Sequence, residues 1–364
     1  MFKKKPAEPT EPKTAAAITD SAPCEKSLRL HVGQEVIAPV RSSVVAECQK
    51  EAALPGFRKG RAPIELVNRQ YAKAIQEETL QRVTRQALER AAKEHDVRPV
   101  GPFEVRRADY QETAGLTLEA TVEVEPAFAL GEYKGIALKQ EAVTVTPADV
   151  EKALAGLQES MTQLVPTGEG QPKQRQAPAI DDELAKDLGC ESLAKLREHL
   201  EAKLREQQRA SQARALEGAL CDALLARHGF AVPARLVARQ TERLTRDFQV
   251  RLLLSGVAEA QLQEETTKFT QQLRVNAERH VKLGFILDRI AEQERVAVTQ
   301  DELVGRLWQL AQRWKKDPAE VKHLLDRQGL WPSVVSTIRQ EKTIALVLAA
   351  AAIENGSAAG QTVR

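Results

Sequence analysis

Apolar and polar positions alternate from Glu25 to Val32, with Leu28, Leu30 and Val32 on one side and Ser27, Arg29 and His31 on the other, which predicts a half-buried strand. The period then lengthens. From about Val36 the residues Val40, Val44, Val45 and Cys48 recur at helical spacing, with Pro39 expected in the first turn, where a missing amide costs little. Pro55 and Gly56 end that helix. Pro63 suits the first position of another, which runs through Ile64, Leu66, Val67, Tyr71, Ile75, Leu80, Val83, Ala87 and Leu88 to about His95. Alternation returns at Phe103, Val105 and Arg107 and again at Leu116, Leu118, Ala120, Val122 and Val124, a predicted hairpin. Residues 25–126 thus read as a small α+β domain whose helices cover one face of an antiparallel sheet, after a flexible tail at 1–24 rich in Pro, Ala, Thr, Lys and Glu.

Beyond Pro126 the pattern becomes helical. A short extended run from Ile136 to Val145 leads through the capping sequence Thr146-Pro147-Ala148-Asp149 into a helix carrying Val150, Leu154, Leu157 and Met161. Residues 127–162 read as the first part of a helical domain, 163–178 as a linker holding Pro166, Gly168, Gly170, Pro172 and Pro178, 179–355 as the rest of the helical domain, and 356–364 as a second tail. Amphipathic helices are predicted over about 191–228, 236–254, 257–294 and 299–314, another from Val321, and a last from Val334 to Ile353. The first of these has no large apolar residue between Arg205 and Arg214, so its middle is expected in solvent, as an arm or as the solvated end of a coiled coil. The predicted fold is an α+β N-terminal domain followed by a mostly α-helical, elongated body with arms, mainly helical overall.

Composition supports that reading and removes several chemistries. The chain has 364 residues, 42% hydrophobic but only 4% aromatic, and 29% charged, which favours long helices with modest cores over a tightly packed enzyme fold. Cys24, Cys48, Cys190 and Cys221 stand far apart without CxxC or a histidine at ligand spacing, so free thiols are expected, and neither a metal nor another cofactor. No glycine precedes a lysine, and GxGxxG, GxSxG and HExxH are absent, so ATP-driven or hydrolytic chemistry is not indicated. His199, His228, His280 and His323 carry no partner spacing, and Trp308, Trp314 and Trp331 are expected as packing residues. Without an apolar leader or a run of about 18 apolar residues, the chain is expected to be soluble and cytoplasmic.

One stretch carries candidate chemistry. Leu54-Pro55-Gly56-Phe57-Arg58-Lys59-Gly60-Arg61-Ala62-Pro63 places two glycines and two prolines where regular structure fails, and three cations with no acid between Glu51 and Glu65. An exposed basic turn with Phe57 among its cations suits an anionic surface such as RNA or an acidic protein patch; as a plain connection between helices it would only solvate its charges.

The order strand, helix, Gly56 to Pro63, helix and hairpin resembles the ribosome-binding domain of bacterial trigger factor, whose signature loop is a GFRxGxxP-type sequence. Phe230 to Val237 resembles that family's VPxxL helix entry, Leu283 to Leu287 its LGxxL stretch and Asp317 to Val321 its DPxEV turn. The resemblance implies an ATP-independent chaperone whose Gly56, Phe57, Arg58, Lys59, Gly60 and Arg61 meet protein and RNA of the large ribosomal subunit near the exit tunnel. It also implies a cradle that holds unfolded nascent polypeptides, no membrane partner, and room for a weak homodimer. The family's FKBP-like prolyl isomerase domain would stand where this chain has only residues 163–178, and no Phe, Tyr or Trp occurs between Tyr133 and Phe230 to line such a pocket. The expectation is therefore a holdase rather than an enzyme. A ribosome-bound assembly or structural factor without a cradle and a free helical adaptor remain the alternatives.

Overall fold

The computed structural model describes residues 15–55, 57–140, 142, 144–161, 163–165, 174–176 and 179–355. They form two compact units, each built from two stretches of chain: 1–129 with 229–285, and 130–228 with 286–364.

The first unit begins with β1 (Ala15–Ala22) and β2 (Glu25–Val32), then α1 (Gln34–Glu51), α2 (Ile64–Gln70), α3 (Ala72–Glu94), β3 (Glu104–Gln111) and β4 (Gly115–Glu123). The four strands make one antiparallel sheet in the order β1-β2-β4-β3, with Leu28 opposite Ala120 and Leu30 opposite Leu118. Leu28, Leu30, Val32, Leu116, Leu118, Ala120 and Val122 are buried together with Ile37 of α1 and Val83, Ala87, Leu88 and Ala91 of α3. One face of the sheet is therefore covered by helices while Arg29 and His31 stay in solvent, as a strand of period two dictates.

Two expectations change here. The tail assigned to residues 1–24 contains β1, whose Ala16 and Ile18 pack against the sheet core and whose backbone pairs along β2. Residues 1–14 lie outside the described residues. Pro39 is the sixth residue of α1 rather than part of its first turn, and its ring points to solvent. One backbone bond is forgone there, and burial of Ile37, Val44 and Val45 on the opposite side holds the helix.

In the second unit, β5 (Ala137–Gln140) precedes α4 (Pro147–Ser160), entered through a capping box in which Thr146 Oγ1 accepts the Asp149 amide at 3.3 Å and Asp149 Oδ2 accepts the Thr146 amide at 2.9 Å. The expected linker carries a short antiparallel ladder, β6 (Gln163–Val165) with β7 (Gln174–Gln176); the rest of 166–178 lies outside the described residues. After α5 (Asp182–Asp187), α6 (Leu193–Arg227) runs unbroken. Its leucines Leu196, Leu200, Leu216, Leu220 and Leu224 are buried, whereas Gln208, Ser211 and Gln212 of its polar middle line an open cleft of about 610 Å³ with Lys139, Gln140 and Thr144. His228 is buried at the end of α6, where its Nε2 accepts the Gly131 amide at 2.8 Å.

The chain then returns to the first unit. α7 (Ala234–Leu254) starts against the sheet, and α8 (Glu259–Gln293) belongs to that unit as far as Phe285. α9 (Gln300–Trp314), α10 (Pro318–Gln328) and α11 (Trp331–Ala349) complete the second unit, followed by β8 (Ala352–Asn355). The helix expected to reach Ile353 stops at Ala349, and β8 pairs in parallel with β5, Leu138 opposite Ile353. No helix among the described residues is long and apolar enough to cross a membrane.

Candidate functional site

The loop between α1 and α2 is fixed at its base and open at its tip. α1 ends at Glu51, the amide of the capping Ala52 bonds Cys48 O at 2.8 Å, and the chain re-enters a helix after Pro63. Both ends sink into a small core of Val44, Val45, Ala52, Ala62, Val67 and Ile75, with Leu54, Cys48 and Tyr71 partly buried against it. The Gln49 side chain donates to Ala62 O at 2.6 Å, which ties the returning strand of the loop to α1. Below this core Arg82 of α3 donates to Glu47 of α1 and to Glu78, both at 2.6 Å, and its hydrogen bonds hold the Glu47 carboxyl below the ordinary range. A loop on such a base keeps its shape without burying its tip.

Within the loop the Phe57 amide bonds Leu54 O at 3.1 Å and the Arg61 amide bonds Arg58 O at 2.9 Å, two successive tight turns. Gly60 sits at φ +80°, a left-handed conformation that a side chain makes costly. Gly56 lies outside the described residues. Phe57 is 42% exposed, and Arg58, Lys59 and Arg61 are exposed with no ion pair among the described residues. Of the six positions singled out in the sequence, the structure thus gathers Phe57, Arg58, Lys59 and Arg61 on one projecting turn, with Gly60 shaping it.

Two apolar residues join them that periodicity placed at the start of the helix expected after Pro63. Ile64 and Leu66, in the first turn of α2, are 52% and 43% exposed, and α2 buries only Val67. The helix expected to run from Pro63 to about His95 breaks at Tyr71 into α2 and α3, and the seven-residue α2 has too short a face to cover all three of its apolar side chains. Unpaired cations beside exposed apolar side chains can dock on a surface that offers carboxylates or phosphates together with an apolar contact. Among the described residues no group of three or more His, Cys, Asp or Glu is placed to hold a metal ion.

Residues 15–157 match the family model described as "Bacterial trigger factor protein (TF)", and residues 192–349 match "Bacterial trigger factor protein (TF) C-terminus". The chain is 23% identical over 424 residues to "Trigger factor" of Anaeromyxobacter sp. (strain Fw109-5), covering 93% of this chain and 99% of the relative. It is 23% identical over 410 residues to "Trigger factor" of Geobacillus kaustophilus (strain HTA426), covering 88% and 95%. As 93% of 364 residues is about 339, the first alignment includes about 85 positions that the relative alone fills. A solved structure, "Promiscuous Substrate Recognition in Folding and Assembly Activities of the Trigger Factor Chaperone", shares the fold at a TM-score of 0.50 and 19% identity, over 92% of this chain and 99% of that one.

Proposed function

This chain belongs to the bacterial trigger factor family, and from that premise we propose that it is a ribosome-associated, ATP-independent chaperone that holds nascent polypeptides in the cytoplasm without prolyl isomerase activity. The observation that carries the reading is the braced loop, whose Phe57, Arg58, Lys59 and Arg61 are exposed and, among the described residues, free of ion pairs. Guanidinium and ammonium groups so placed can bond rRNA phosphates and ribosomal protein carboxylates, while Phe57, Ile64 and Leu66 supply the apolar part of the contact.

The absence of isomerase activity is supported by what lies between the two family matches. Only residues 158–191 separate them, and no aromatic side chain occurs from Lys134 to Gly229 to wall a proline pocket.

Co-sedimentation with ribosomes tests the reading. The wild type should pellet with large subunits and the variant Phe57→Ala, Arg58→Ala, Lys59→Ala should not, with unchanged helicity and thermal unfolding, since an exposed loop contributes little to the core. Equal pelleting of the two would return the loop to a plain connection. Ribosome binding without any delay in the aggregation of unfolded proteins would favour a ribosome-bound structural factor instead.

A further inference from the structure

The four-stranded sheet of the first unit has two edges, and they are built differently. β3, at one edge, carries Arg106, Arg107 and Asp109, and its register with β4 slips between Val105 and Arg107. Charge and a kink of this kind keep a strand from recruiting another. β1, at the other edge, runs Ala15-Ala16-Ala17-Ile18-Thr19 before its first charge at Asp20, and its irregularity falls beyond that stretch, between Asp20 and Ala22. From Ala15 to Thr19 it keeps straight register with His31 to Ser27 of β2. Among the described residues β1 pairs with no other strand, so along this stretch alternate residues turn their amide and carbonyl groups outward. The edge is unguarded.

The chain's own N-terminal stretch is poorly suited to cover it. Pro6, Pro9 and Pro12 lack the amide that a ladder needs, and their spacing of three puts them on both parities of a strand, so folding back in either register turns at least one proline toward β1. A second copy fits. Laid antiparallel about a two-fold axis at Ala17, β1 sets Ala16 opposite the partner's Ile18 and Ala15 opposite the partner's Thr19, with Ala17 facing the partner's Ala17. On the face where Ala16 and Ile18 pack against the sheet core, a methyl group then meets a branched side chain on each side of the axis, and the half-buried Ile18 gains an apolar neighbour. On the other face Ala17 and Thr19 are exposed and uncharged, so nothing there repels. Asp20 lies outside the paired stretch.

We propose that the free edge of β1 pairs with β1 of a second copy of this chain, antiparallel about Ala17, so that two four-stranded sheets join into one of eight strands. Five residues from each copy span only about 17 Å, far less than a standard interface provides, so the dimer is a weak one.

Because Ala17 lies on the axis, substitutions there read the interface with either sign of charge. In sedimentation equilibrium the full-length wild type should move from monomer toward dimer mass as its concentration rises through the micromolar range. Ala17→Lys and Ala17→Glu, at an exposed position, should each keep the wild-type circular dichroism and associate about fivefold more weakly at low salt, because like charges then face each other across the axis. An equimolar mixture of the two should regain at least the wild-type association. Amide exchange from Ala15 to Thr19 should slow as the wild type is concentrated. A wild type that stays monomeric, a dimer that both variants leave intact, or a mixture as monomeric as its components overturns the proposal. So does an edge whose amides slow only when an unfolded polypeptide is added, since it would then take a client strand in place of a second copy.

Discussion

Glu123 and Arg235, 112 positions apart, meet at the start of α7. The Glu123 carboxylate accepts the Arg235 backbone amide at 2.6 Å and the Leu236 amide at 3.1 Å, and so caps the start of α7 from the end of β4. The Arg235 guanidinium reaches back to Glu104 at 2.5 Å and to Thr121 Oγ1 at 3.0 Å. Pro233 precedes this helix and gives it no side-chain cap, so a buried acid from another element satisfies the orphan amides and meets the positive end of the helix dipole.

Removing that acid should loosen the first unit. Glu123→Ala leaves two amides without a partner and should cost about 1–3 kcal/mol in urea unfolding, with Glu123→Gln intermediate because it keeps an acceptor oxygen. An unchanged midpoint for Glu123→Ala would show that water replaces the carboxylate at no cost. For the same reason a fragment starting at Ala127 should lose protection of the α7 amides in hydrogen exchange.

The shape of the basic loop is open to separate tests. Gly60→Ala forces a side chain into a left-handed conformation at a cost of about 1 kcal/mol, and Gln49→Ala frees the returning strand at Ala62. Both should weaken ribosome pelleting more than they lower thermal stability, because each alters the presentation of Phe57, Arg58 and Lys59 while leaving the main core intact. A fall in stability with full pelleting would contradict this.

Acid should act on the second unit through Glu294. Its carboxyl accepts from Lys134 Nζ and from the Tyr133 hydroxyl, both at 2.6 Å, and these bonds, that of Lys134 first, hold it below its ordinary value of 4.5. A carboxylate made more acidic by folding contributes stability that is present above its unfolded value and is lost as pH falls through the depressed native one. Thermal melts of wild type and Glu294→Gln should therefore differ near pH 7 and converge below about pH 4. A constant difference across that range would rule out the linkage.

Prolyl isomerisation offers a negative control. The purified protein should leave the cis/trans relaxation of an X-Pro test peptide at its uncatalysed rate, since the barrier is about 20 kcal/mol and lowering it takes a formed pocket. Turnover blocked by an FKBP ligand would mean that residues 158–191 do more than connect.

What the sequence disclosed follows the range of the forces involved. β2 was legible to the residue because Leu28, Leu30 and Val32 are all buried, and α4 because Thr146 and Asp149 form its capping box locally. β1 was not, since its order comes from backbone pairing with β2 and only Ala16 and Ile18 touch the core. The last helix was overextended through Ala349-Ala350-Ala351-Ala352, strong helix formers, because pairing with β5 is invisible in local pattern. The loop was readable because glycine, proline and charge act within ten residues. The exposure of Ile64 and Leu66 was not, because it depends on how little α2 has beneath it.

The pairing of β5 with β8 also sets a timetable. Ala137 finds Ala352 only after the intervening chain has been made, which at about 5–20 residues per second takes roughly 10–40 s. Until then β5 keeps an open edge, and Leu138, buried in the finished protein, faces water. For that interval the newborn molecule is itself a polypeptide with exposed apolar strand, the very kind of chain that its finished copies would be waiting to receive.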